Sequence, residues 1–218
     1  NDAMTGAGGV TSLNAIAAAT TGTVTATSVS GNSGDLASLT ASGTSATQAY
    51  TITVDNATNV SDGAAIAAAT NAATVDFSAA GVNDTFANLT SGTGVSSDMQ
   101  DIDAKDADVA IEVSDVVAVD ANAVTALNAL RDDTNGTTGT VTATINGDAA
   151  VLANLTATAT ETGTSSLTIT VNDAADVSEG AAIAAATNAA TVDFSTGGVS
   201  DTFANLTSGT GVSSDMQD

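Results

Sequence analysis

The chain has 218 residues, of which 25 are acidic and only Lys105 and Arg131 are basic, for a net charge of −23; 43% are apolar but 2% aromatic, with no Cys, His or Pro. Two cations argue against nucleic acid as a partner and against an anionic membrane surface, since both need Lys and Arg clusters. Without Cys or His the chain has no disulfide, no thiol chemistry, no usual general base and no usual zinc ligand.

Along the chain the text repeats. VTSLNAI (Val10 to Ile16) returns as VTALNAL (Val124 to Leu130), and TGTVTAT (Thr21 to Thr27) returns at Thr138 to Thr144. Thr51 to Asp101 and Thr168 to Asp218 align without a gap at an offset of 117, with 43 of 51 positions identical. The offset grows from 114 to 117 across the RDDTNGT segment, as expected of an insertion in a loop. Two blocks follow, 1-101 and 102-218, the second continuous with the first. Both ends fall inside the repeat and the chain starts at Asn1, so a fragment of a longer array is expected.

Each block divides into about four units of roughly 23 to 35 residues. In the second block they open on VAIEV (Val109 to Val113), TVTATI (Thr140 to Ile145), LTITV (Leu167 to Val171) and ATVDF (Ala190 to Phe194). All alternate apolar with polar and are rich in β-branched residues, which predicts strands. Val109, Ile111 and Val113, then Val141, Ala143 and Ile145, then Leu167, Ile169 and Val171, then Val192 and Phe194 are expected to face inward. Short amphipathic pieces follow the strands: AVTALNAL after Asp120, AVLANL after Asp148, EGAAIAAAT after Ser178, and TFANL after Ser200 and Asp201. A small polar residue ahead of an i, i+3, i+4 pattern is an N-cap signature, and helices this short must dock on neighbouring strands. The predicted fold is α/β: a right-handed solenoid of strand–turn–short-helix repeats with a parallel sheet, the alternative being an all-β solenoid. A core of small side chains suits thin, closely spaced layers.

Two clusters invite a chemical reading. Asp98, Asp101, Asp103, Asp106 and Asp108 crowd the run SSDMQDIDAKDAD. Closely spaced carboxylates supply the oxygen ligands of calcium, although the run is not an EF-hand, and Asp as turn formers and caps is the plainer account. Thr140, Thr142, Thr144, Thr168 and Thr170 are expected on the outward face of two neighbouring strands, with the threonine array ending after two rows. Such a face suits a glycan or ice surface; solvent-facing β-branched residues are the simpler account. No catalytic set is visible: Ser has no His or suitably placed Lys to activate it, GTGVSS lacks the Lys of a phosphate loop, and sugar-stacking aromatics are scarce. No stretch has the ~18 apolar residues of a membrane span.

VTATINGDAAVLANLT, LTITVNDAADVSEGAAIAAATNAATVDFS and DTFANLTSGTGVSS resemble repeats of giant secreted surface proteins, the RTX-type adhesin, surface-layer and filament proteins of marine bacteria and cyanobacteria. The resemblance covers nearly the whole chain and is one of style, rich in Ala, Thr, Gly and Asp, and no RTX calcium motif is present. It implies an extracellular or cell-surface setting and a structural or adhesive role, with calcium as a cofactor to be tested. Seawater salt fits the charge, because there the Debye length is only a few ångström. The expected function is a non-catalytic structural segment that self-associates end to end or laterally, with an adhesin-type module for a glycan or other surface ligand as the alternative.

Overall fold

The computed structural model describes residues 4–40, 48–71, 75–77, 81–133, 139–156, 166–186, 191–208 and 211–214. In chain order the elements are β1 (Met4–Thr5), α1 (Gly6–Ala18), β2 (Thr25–Gly31), α2 (Ser33–Leu36), β3 (Ala49–Val54), α3 (Val60–Ala68) and β4 (Val75–Asp76). Then come β5 (Val82–Asp84), α4 (Phe86–Leu89), β6 (Thr90–Ser91), β7 (Gly94–Val95), α5 (Ser97–Asp103), β8 (Ile111–Ala118), α6 (Ala121–Asp133) and β9 (Val141–Gly147). The chain continues with α7 (Ala149–Leu152), β10 (Ser166–Val171), α8 (Val177–Ala185), β11 (Thr191–Asp193), α9 (Phe203–Leu206), β12 (Thr207–Ser208) and β13 (Gly211–Val212). Its contacts divide it into two units: Asn1–Asp84 with Ser96–Glu112, and Thr85–Val95 with Val113–Asp218.

The fold is mixed α/β with parallel sheets. β1, β2, β3 and β4 lie side by side in chain order, each pair parallel. The second sheet runs β11–β10–β9–β8–β5, and the β9–β10 and β10–β11 pairs are parallel. A parallel neighbour requires a crossover, and here helices and loops make it. The helices set aside the all-β alternative: α1 and α6 have 13 residues each, α3 and α8 nine each.

Register places like side chains one above another. In the first unit Met4, Val29, Ile52 and Val75 form one inward column; in the second, Ile145, Ile169 and Val192 form another. Neighbours in such a column lie about 4.8 Å apart, so β-branched side chains fill the layer without aromatics. The expected inward sets Val109, Ile111 and Val113, Val141, Ala143 and Ile145, and Leu167, Ile169 and Val171 are all buried. Val192 and Phe194 are only half-buried, whereas their first-copy counterparts Val75 and Phe77 are buried. In the first unit the Asp106 carboxylate accepts the Phe77 N–H at 2.6 Å.

The caps differ from the sequence expectation in detail. Asp120 accepts the Ala123 N–H at 2.8 Å as expected. The cap of α8 is Asp176, not Ser178, and it forms a reciprocal box with Glu179; Ser178 lies inside the helix and donates to Asp176 at 2.7 Å. Asp148 occupies the cap position of α7 without a side-chain cap bond, and Thr202 caps α9 in place of Ser200 or Asp201.

Candidate functional site

The acidic run does not gather. Asp98 and Asp101 are exposed on α5, opposite the buried Met99 and Ile102; Asp103 ends that helix half-buried, and Asp108 is exposed. Asp106 is buried, and its carboxylate accepts the Phe77 N–H. Burial first, then a hydrogen bond shared with Asp108, push Asp106 up to about 6, against the lowering effect of the Phe77 N–H. Among the described residues no three acidic side chains come together as a cation site.

The threonines are better placed. Thr142 and Thr144 are exposed on β9 and Thr168 on β10, while Thr170 and Thr140 are half-buried, Thr140 just ahead of its strand. Pairing sets Thr142 opposite Ser166, and it aligns Thr144, Thr168 and Thr191 in one row. The array therefore reaches a third strand. The sequence reading ended it after two because the register of β11 is not written in its local pattern. The row beside it is Asn146, Thr170 and Asp193, which mixes amide, hydroxyl and carboxylate.

A third set of polar residues recurs with a period that the sequence analysis did not use. The first N–H of a helix has no partner within that helix. Here a side chain from the next strand–helix step accepts it. Asn56 accepts from Ser33 at 2.7 Å, Asp84 from Val60 at 3.0 Å, Asp115 from Phe86 at 2.7 Å, Asp173 from Ala149 at 2.7 Å and Asp201 from Val177 at 3.2 Å. Each donor is the first residue of α2, α3, α4, α7 or α8, and each acceptor lies 23 to 29 positions later. A carboxylate there meets the positive end of the helix dipole as well. Asp201 also accepts from Thr202 N–H at 2.6 Å and the Asn205 amide at 2.8 Å; those bonds hold it below the usual carboxylate range. The signal was an Asn or Asp a few residues ahead of the helical piece that follows each acceptor.

Two asparagines make the matching contact at the other side of a step. The Asn14 amide donates to the Ser38 carbonyl at 2.8 Å and accepts the Thr40 N–H at 3.0 Å. Asn128, its counterpart on α6, donates to the Asn154 carbonyl at 2.9 Å and accepts the Thr156 N–H at 3.1 Å. Both cations sit at helix C-termini, where carbonyls lack partners and the dipole is negative. Lys105 Nζ donates to the Thr70 carbonyl just past α3 at 2.9 Å, and buried Arg131 donates to the Ala186 carbonyl closing α8 and to the Thr156 carbonyl, both at 3.0 Å.

An open groove of 520 Å³ lies in the first unit between Met4, Leu13, Ile16 and Val24 and the β2 residues Thr25 to Ser28. At the equivalent place in the second unit β8 lies beside β9. These arrangements bond one step to the next. No family model, curated protein or solved structure matches the chain.

Proposed function

We propose that the chain is a non-catalytic structural repeat segment of an extracellular filament, surface layer or giant surface protein, built as a right-handed α/β solenoid. The observation that carries this reading is the recurring bond from an Asn or Asp of one step to the first N–H of the helix before it. These polar side chains are consumed in joining neighbours, which is what a spacer requires. The net charge of −23 suits a salty exterior. Two basic residues, one of them buried, give trypsin-like proteases almost nothing to cut. Tandem fusions of one, two and three copies test the reading by small-angle scattering. A radius of gyration rising in proportion to copy number is expected; a rise with roughly its cube root, as for compact bodies, refutes it.

A second reading has one observation in its favour. The exposed row Thr144, Thr168 and Thr191 presents hydroxyls at the strand spacing. An adhesin-type face for a glycan or ice would use it. Replacing Thr144 and Thr168 by Val should abolish glycan-array or ice-recrystallisation activity under that reading and leave the spacer behaviour untouched.

A further inference from the structure

On the outward face of the second unit's sheet the threonine row has a fourth member of the same shape. The Val119 N–H donates to the Asn146 carbonyl at 2.8 Å, which sets Ala118 level with Asn146 and Val116 level with Thr144. Val116 is 63% exposed although it sits inside β8. The row therefore reads Val116, Thr144, Thr168 and Thr191, four exposed β-branched residues, each with a γ-methyl. Thr142 and Ser166 form an exposed row on one side of it, and Ala118, Asn146 and Thr170 lead the row on the other. None of these residues is charged, on a chain whose net charge is −23. The carboxylates of β8 and β11 are each held by a hydrogen bond: Glu112 accepts from the Asn83 amide at 2.6 Å, Asp115 from the Phe86 N–H at 2.7 Å and Asp193 from the Ser195 N–H at 2.8 Å. A strand added beside β11 would widen this face and leave it open, so its exposure does not depend on the edges of the sheet.

Charge selects the occupant. Lys105 and Arg131 are the only cations of the chain, and both bond to carbonyls at helix C-termini. Two such cations cannot complement the carboxylates at the helix N-termini of another copy, so those surfaces repel. We infer that the flat face around Thr144 and Thr168 is where two copies of this chain meet, sheet against sheet, as a lateral pair. The same patch serves both copies, so the contact is isologous and related by a two-fold axis. Sheets packed face to face lie about 10 Å apart, with their strands within about 30° of each other and the inner side chains interdigitated. Strands about 4.8 Å apart and six residues long give four of them a face of roughly 400 Å². That is half of the ~800 Å² per partner in a standard interface. One face therefore joins weakly, and copies linked in tandem, which present the face repeatedly, join far more tightly. The inference rests on the structural reading above and supplies its lateral contact.

The test uses the whole chain in about 0.5 M sodium chloride, where a Debye length of about 4 Å screens the net charge. Sedimentation velocity should show a monomer–dimer equilibrium that stops at the dimer. Thr168→Glu and Thr168→Lys each bring like charges together across the two-fold and should weaken association about thirtyfold or more. Their equimolar mixture should dimerise again, because Glu then faces Lys. Circular dichroism checks that each variant is folded, and Thr144→Glu with Thr144→Lys replaces the pair if one is not. An unchanged chain that stays monomeric at millimolar concentration overturns the inference. So do variants that dimerise as the unchanged chain does, or a mixture that associates no better than either variant alone. A monomeric chain that binds a glycan array or ice through Thr168 also overturns it and gives the face to the second reading. Monomers whose tandem fusions lengthen in proportion to copy number defeat this contact and leave the spacer reading standing. Dimers that the charge swap controls, formed by a chain whose fusions stay compact, do the reverse.

Discussion

Individual side chains in this protein are set by where they are buried, and two of them give direct tests. Asp106 is raised to about 6 while Asp176, Asp193 and Asp201 are lowered, each of the latter chiefly by backbone or side-chain hydrogen bonds to the carboxylate. The lowered group favours folding above the ordinary carboxylate value near 4, and that contribution is lost as pH falls through their folded values. Asp106 acts oppositely: it favours folding below about 4 and loses that contribution as pH rises through about 6. Chemical denaturation across pH should therefore show greatest stability near pH 4, with the Asp106 contribution falling away between about 4 and 6. Asp106→Asn keeps an acceptor for the Phe77 N–H and removes the buried charge, so it should raise the melting midpoint at pH 7 and flatten the profile between about pH 4 and 6. Tyr50 is fully buried, and its hydroxyl has no hydrogen-bond partner among the described residues. Leu167 occupies the same place in the second copy. Tyr50→Phe should be neutral or stabilising by about 1 kcal/mol in urea titrations, because it removes an unmatched polar group.

Among the elements, duplicated helices provide matched controls. Gly63 in α3 and Gly180 in α8 are counterparts. A Cβ on Gly63 would meet Ile102 Cδ1 at 2.6 Å, where α5 packs against α3; a Cβ on Gly180 would meet only Phe194 at 3.9 Å. Gly180→Ala should stabilise by about 1 kcal/mol through helix propensity, while Gly63→Ala loses that gain to the clash with the buried Ile102. The cross-step caps predict a comparable effect. Asp173→Ala leaves the first N–H of α7 without its acceptor and should cost about 1 kcal/mol by thermal melting. Asp173→Asn should recover most of it. Equal loss in both variants would show that charge, and not the hydrogen bond, carries the contact.

At the scale of the whole molecule, self-repulsion among the carboxylates acts on stability in a way that no single contact reveals. With a net charge of −23, sodium chloride should raise the melting midpoint smoothly by screening that repulsion. Calcium at equal ionic strength should follow the same curve, and a separate rise at micromolar calcium would assign it a site. The sequence by itself determined the duplication, the alternation that makes the strands and the small-residue composition that keeps the layers thin. Those follow from local spacing, and Val141, Ala143, Ile145, Leu167, Ile169 and Val171 are buried as that spacing requires. Only the tertiary structure decided which acceptor serves which helix, since Asp173 bonds Ala149 and Asp201 bonds Val177, each 24 residues away, a pairing fixed by strand register. It alone decided that Asp106 is buried while Asp98 and Asp101 face solvent, because neighbouring carboxylates of the same chemistry carry no record of what packs on them. It alone showed that Phe86 is half-buried and Phe203 exposed, although their local sequence is identical.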